Sequence, residues 1–144
     1  MAHLDIELPG RFLFATRIPI RIDDLNYGGH LGNDAVLALA QEARAQFLGA
    51  HGFTELDVEG TGLLMVEAAL LYRAEGRYGM VLRIDIGAGE LRTRGCDLLY
   101  RLSDEATGKE IARVRTGLVF QDRASRRLVR IPPGLQAVLS AGAP

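Results

Sequence analysis

Asp23–Leu48 reads DDLNYGGHLGNDAVLALAQEARAQFL, and it changes character half-way. Asp23 to Gly32 is polar and glycine-bearing, the composition of a loop. Asn33 and Asp34 then supply helix-starting chemistry: a cap oxygen satisfies orphan N–H groups, and a carboxylate in the first turn suits the helix dipole. Beyond them Val36, Leu39, Ala40, Ala43, Phe47 and Leu48 fall at helical spacing, with Glu42 and Arg44 beside the apolar stripe. Gly49 or Gly52 is the expected end. This is the one long helix that the chain's periodicity predicts.

The flanks read as strands. Upstream, Phe12 to Ile22 alternates Ile18, Ile20 and Ile22 with Arg17, Pro19 and Arg21, the period of a half-buried strand. Pro19 cannot donate to a ladder, so this strand is expected at a sheet edge or to carry a bulge. Downstream, Leu63–Ala74, Met80–Leu91, Cys96–Ser103 and Glu110–Gln121 are aliphatic runs of strand length, split by turn signals too short to hold crossover helices. The prolines at 132 and 133 open a short terminal helix. Strand, long helix, then hairpin-linked strands describes an α+β layer of sheet and helix. Such a layer leaves a strand edge and apolar area open, and dimerisation is the natural remedy.

Composition narrows the function classes. With 144 residues the chain fits one domain, expected to span 1–144. The 17 basic and 18 acidic residues leave a net charge of −1, which gives no reason to expect nucleic acid or an anionic membrane as partner. Cys96 is the only cysteine, so no internal disulfide or cysteine-based zinc site can form, and the three histidines are too scattered for a metal site. Neither a signal-peptide core nor a bilayer-length apolar run is present, and a cytoplasmic location is the expectation. There is no P-loop, GxGxxG fingerprint or nucleophile elbow.

Within the opening stretch, Asp24, Gly29, His30, Asn33 and the triplet Glu42-Ala43-Arg44 carry a specific pattern. It resembles the signature of the 4-hydroxybenzoyl-CoA thioesterase family of the hot-dog superfamily, D-x-D-x-x-G-H-V-N-N followed by a helix ending in E-A-R. The likeness continues more loosely through Val66-Glu67-Ala68 and Tyr78-Gly79, over roughly residues 12 to 135. It implies a hot-dog fold: an antiparallel sheet of about five strands wrapped around one long central helix. It further implies hydrolysis of an acyl-CoA thioester without cofactor or metal, by a homodimer or homotetramer with its site at the interface.

One departure matters. The second Asp of D-x-D, which in the family commonly acts as nucleophile or base, falls on Asn26. An amide is no carboxylate base, although it can orient a water or hydrogen-bond the thioester oxygen. The base then lies elsewhere, or the protein binds acyl-CoA without turning it over quickly.

The resemblance assigns roles residue by residue. The N–H at or near Asn33, at the helix start, would polarise the carbonyl; as a plain residue Asn33 is a helix cap. Asp24 is the acid nearest the usual position, and otherwise a turn residue. Glu42 falls about where another branch of the superfamily carries a helix-borne base; its plain reading is a surface or dimer ion pair. His30 could hydrogen-bond the thioester or shuttle a proton, or merely hold the loop. Tyr27, Gly28, Gly29 and Glu67 are candidates for substrate contact. The late arginines, Arg113 to Arg130, are a solvated face of which some could meet the phosphates of CoA. Two rival functions share the fold: a non-catalytic acyl-CoA-binding protein, favoured by Asn26, and a thioester hydratase or dehydratase.

Overall fold

A computed structural model describes residues 3–141. Chain order is β1 (Phe14–Pro19), a 3-10 turn (Ile22–Asp24), α1 (Asn33–Ala50), β2 (Thr61–Tyr72), β3 (Val81–Arg92), β4 (Gly95–Asp104), β5 (Glu110–Asp122), β6 (Leu128–Val129) and α2 (Pro133–Ser140). The strands form one antiparallel sheet in the order β1-β3-β4-β5-β2. Sequence periodicity places all four long strands within a few residues of their bounds. It misses β6, whose two residues are too few to show a period; it pairs with Phe120 and Gln121 where the β4 ladder has ended at Val119. Pro19 closes β1, and β1 is indeed an edge strand.

The α1 helix packs on one face of the sheet, the arrangement of a hot-dog fold. Its stripe of Val36, Leu39, Ala40, Ala43 and Phe47 is buried. It meets Leu82, Ile84 and Ile86 of β3, Leu98, Tyr100 and Leu102 of β4, and Val114, Leu118 and Phe120 of β5 in one continuous core. Alternation along each strand sends these residues inward and their neighbours to the other face. Removing a large side chain from such a core costs about 2–5 kcal/mol.

That other face is partly covered by the segment leading into β1. Ile6 is 1% exposed, and Arg113 on β5 donates from Nη1 to its carbonyl at 2.9 Å. The Arg101 guanidinium on β4 lies 5.5 Å from the centre of the Phe12 ring. Gly87 on β3 permits the crossing, because a Cβ there would stand 2.4 Å from Pro9 Cγ. Residues 5–13 thus strap the outer faces of β3, β4 and β5.

β2 is different. It pairs with β5 alone, so its other backbone edge is open. Leu64, Met65 and Val66 are exposed despite their apolar side chains, and the register slips between Met65 and Glu67.

Candidate active site

The loop between β1 and α1 is braced from within. Asn26 accepts on its side-chain oxygen from the N–H groups of Gly28 (3.0 Å) and His30 (3.2 Å). Its own N–H donates to the His30 carbonyl at 2.7 Å, and its carbonyl accepts from Gly29 at 3.0 Å. The turn needs Gly29 in the left-handed region at φ 81°, which only glycine adopts cheaply. Gly28 has no such φ. Leu31 N–H then donates to the Gly76 carbonyl at 2.9 Å, tying the loop to the segment after β2. Gly76 must be glycine, since a Cβ would lie 2.7 Å from Ile20 Cδ1 and 2.9 Å from Leu31 Cβ.

Asp24 sits just before this turn and is buried. It accepts from the Arg21 backbone N–H at 2.8 Å and from Arg21 Nη2 at 3.2 Å. Burial pushes its carboxyl up, but hydrogen bonds and charge from Arg21 outweigh this and hold it below the usual carboxylate range. Its carboxylate braces the start of the 3-10 turn.

The α1 helix starts one residue earlier than its polar residues suggest. Gly32 is the N-cap, no side chain caps the helix, and Asn33 is the first helical residue. The side chain of Asn33 is therefore not the cap. Its N–H and that of Asp34 find no acceptor among the described residues. These are orphan donors at the positive end of an 18-residue helix.

A cleft of about 310 Å³ opens at this helix start. Asn26, His30, Asn33, Tyr72 and Glu75 line it, with Val36 and Ile111 supplying apolar wall. The Tyr72 hydroxyl, from the end of β2, donates to the Asn33 carbonyl at 3.1 Å. His30 Nε2 lies 3.2 Å from Glu75 Oε2, and Arg77 reaches the same carboxylate at 3.6 Å.

The fold therefore gathers Asn26, His30 and Asn33, three of the residues proposed from sequence, in one cleft. It leaves the others outside the lining. Tyr27 projects fully into solvent at the loop tip. Glu42 is exposed on α1 and accepts from Gln46 Nε2 at 3.1 Å. Glu67 lies on the outer face of β2, where its Cβ and Cγ border Gly117. The late arginines 123–130 sit around the β5–β6 hairpin, beside the start of β2. Cys96 is fully buried, and burial pushes its thiol up to about 12, which rules it out as a nucleophile.

Residues 20–139 match a family model described as the thioesterase-like superfamily. The chain belongs to the thioesterase-like superfamily. Membership puts it in the class of thioester hydrolases. Solved structures share the fold over nearly their whole length. A hypothetical protein from Thermus thermophilus aligns with a TM-score of 0.77 at 27% identity, covering 89% of this chain and 98% of that one. A 1,4-dihydroxy-2-naphthoyl-CoA thioesterase from Synechocystis gives 0.79 at 18% identity, covering 90% and 96%. The dynemicin thioesterase, solved in a study of polyene binding, gives 0.80 at 21% identity, covering 89% and 95%. Among curated proteins, none matches in sequence.

For a member of this superfamily, Tyr72 and Glu75 are the cleft residues that sequence reading passes over. Tyr72 ends an apolar strand run, and Glu75-Gly76 reads as a turn signal. Only the strand's register against α1 brings them to the helix start. Arg44 is a second surprise. The arginine of the E-A-R triplet is 2% exposed and donates to Glu55 Oε1 from Nε (3.0 Å) and Nη2 (2.9 Å). Its Nη1 reaches the Tyr100 hydroxyl at 3.2 Å, which in turn lies 2.8 Å from Thr116 Oγ1. Burial works against its charge, yet Tyr100 and Glu55 more than offset this and its pKa is raised.

Proposed function

We propose that the protein hydrolyses an acyl-CoA thioester to the free acid and CoA. The observation that carries this is the open helix start: the N–H of Asn33 is unpaired among the described residues, and Asn33 lines a cleft that also holds His30, Asn26 and Tyr72. A thioester carbonyl seated there gains hydrogen bonds as its oxygen becomes an anion, in the favourable field of the dipole. Asn33 supplies the donor, and Asn26 shapes the loop against which the substrate rests. Gly28, Gly29 and Tyr27 border the path of the pantetheine arm.

The working unit in this reading is a homodimer, or a homotetramer built from it. The open, apolar edge of β2 supports this, since an unpaired strand of 12 residues invites a second copy. Antiparallel pairing of β2 with itself would set the Thr61 end of one copy beside the Tyr72 end of the other. The partner's arginines 123–130 then become candidates for the phosphates of CoA. The CoA moiety is also supported by the name of the Synechocystis relative.

Asp24 and Glu42 are the carboxylates that the family pattern nominates to activate water. Of the two, Glu42 is the freer, because Asp24 is committed to Arg21. Thiol release from short, long and aromatic acyl-CoAs tests the reading, with wild type alongside Asp24→Ala, Asn26→Ala and Glu42→Ala. Turnover of at least one substrate is expected. Tight acyl-CoA binding with no turnover would instead favour a non-catalytic carrier. Asn26 supports that rival, since its oxygen is occupied by two backbone N–H groups rather than free for substrate.

A further inference from the structure

The cleft holds a histidine paired with a carboxylate, His30 with Glu75. We infer that His30 is the general base of this site and that Glu75 is the residue that positions it; this rests on the thioesterase reading above. The imidazole is 31% exposed on its side chain and lines the cleft with Asn33, whose N–H is free. Its Nε2 faces Glu75 Oε2 at 3.2 Å. A neutral imidazole carries one N–H and one lone pair. Donating the Nε2 proton to Glu75 leaves the lone pair on Nδ1. That nitrogen has no partner among the described residues and lies on the Gly28 side of the ring, where a Cβ at 28 would stand 3.8 Å away, an ordinary contact. Glu75 is itself steadied by Arg77 Nη2 at 3.6 Å. The other polar residues lining the cleft are Asn26 from the loop, Tyr72 at the end of β2, Arg73 just after it, which pairs with Glu110, and Asn33 from α1.

The step balances without a further reactant. Water attacks the thioester carbonyl carbon while its proton passes to His30 Nδ1, and the charge that forms on oxygen meets the Asn33 N–H. The C–S bond then breaks. Sulfur leaves with the bonding pair and takes the proton back from Nδ1, giving the acid, the thiol and a neutral imidazole. Glu75 stabilises the transient imidazolium and fixes which nitrogen faces the water. The pair stands in for the carboxylate that position 26 lacks.

The test is steady-state thiol release by the full chain on acetyl-, octanoyl- and benzoyl-CoA, with each variant's fold checked by circular dichroism. His30→Ala should lower kcat by roughly 10²- to 10⁴-fold with KM little changed. Added imidazole should restore part of the rate, which no structural role of His30 would predict. Glu75→Gln should lower kcat about tenfold, and Glu75→Asp should recover much of it, as expected of a positioning group. If wild type turns over a substrate but His30→Ala keeps its kcat, the assignment is overturned and the thioesterase reading stands. If Glu42→Ala alone abolishes the rate, the outcome is the same. If wild type hydrolyses none of the three while binding them, the thioesterase reading falls and the assignment falls with it.

Discussion

The two halves of α1 treat their polar groups in opposite ways. In the C-terminal half, Arg44 spends its donors on Glu55 and Tyr100, and Tyr100 passes the network on to Thr116. Little there is left to bind anything else. At the N-terminus the cap is a glycine, no side chain reaches the first N–H groups, and Tyr72 takes a carbonyl rather than filling a donor. A buried charge with its partners supplied keys the helix to the sheet, whereas unfilled donors beside a cleft await a ligand. In the proposed reading, stability and chemistry thus sit at opposite ends of one element. Substitutions should separate them.

The largest effect is expected at the closed end. Arg44→Ala strands Glu55 and empties buried volume, and should cost about 3–5 kcal/mol in denaturant unfolding. Arg44→Met keeps most of that volume and should cost clearly less, which separates packing from charge. Tyr100→Phe removes the central acceptor and should cost about 1–3 kcal/mol, with Arg44 left short of one partner. At the open end the ranking inverts. Tyr72→Phe loses one half-exposed hydrogen bond, so stability should change by no more than about 1 kcal/mol while thiol release falls measurably. A destabilisation by Tyr72→Phe comparable with that of Tyr100→Phe would erase the contrast between the two ends.

The smallest effect is a pH dependence. Asp24 has its carboxyl held below the usual range in the folded state. Its contribution is therefore present at neutral pH and is lost as pH falls through that lowered folded value. Asp24→Asn should flatten the acid limb of the stability curve and leave the neutral plateau slightly lower, as thermal unfolding across pH would show.

Period and punctuation carry a great deal in this chain. The aliphatic stripe of α1 and the proline at 19 are local signals, and each places its element correctly; the alternating isoleucines overrun theirs, since β1 ends at Pro19 and Ile22 stands exposed in the 3-10 turn. The signature residues Asn26, His30 and Asn33 also converge because they are close in sequence and the loop joining them is short. What escapes is whatever depends on separation. Arg44 borders the stripe and reads as a polar margin, yet its length lets it reach a buried phenol on β4. Glu75 looks like turn filler until the end of β2 comes to rest beside the start of α1. Asn33 has the chemistry of a cap, but backbone geometry gives that place to Gly32. Glu42 and Glu67 share the chemistry of the expected base, and only their positions in the fold set them apart from the cleft.

The strap over the outer face has a consequence for the order in which the molecule assembles. Ile6 receives its hydrogen bond from Arg113, 107 residues away along the chain, whereas the β3–β4 and β4–β5 pairings close short hairpins. Loop closure costs more as the loop lengthens, and non-local contacts slow folding. Residues 5–13 precede in the chain every strand they cover, yet they have nothing to rest on until β3, β4 and β5 stand side by side. The segment that comes first in sequence is thus among the last to find its place.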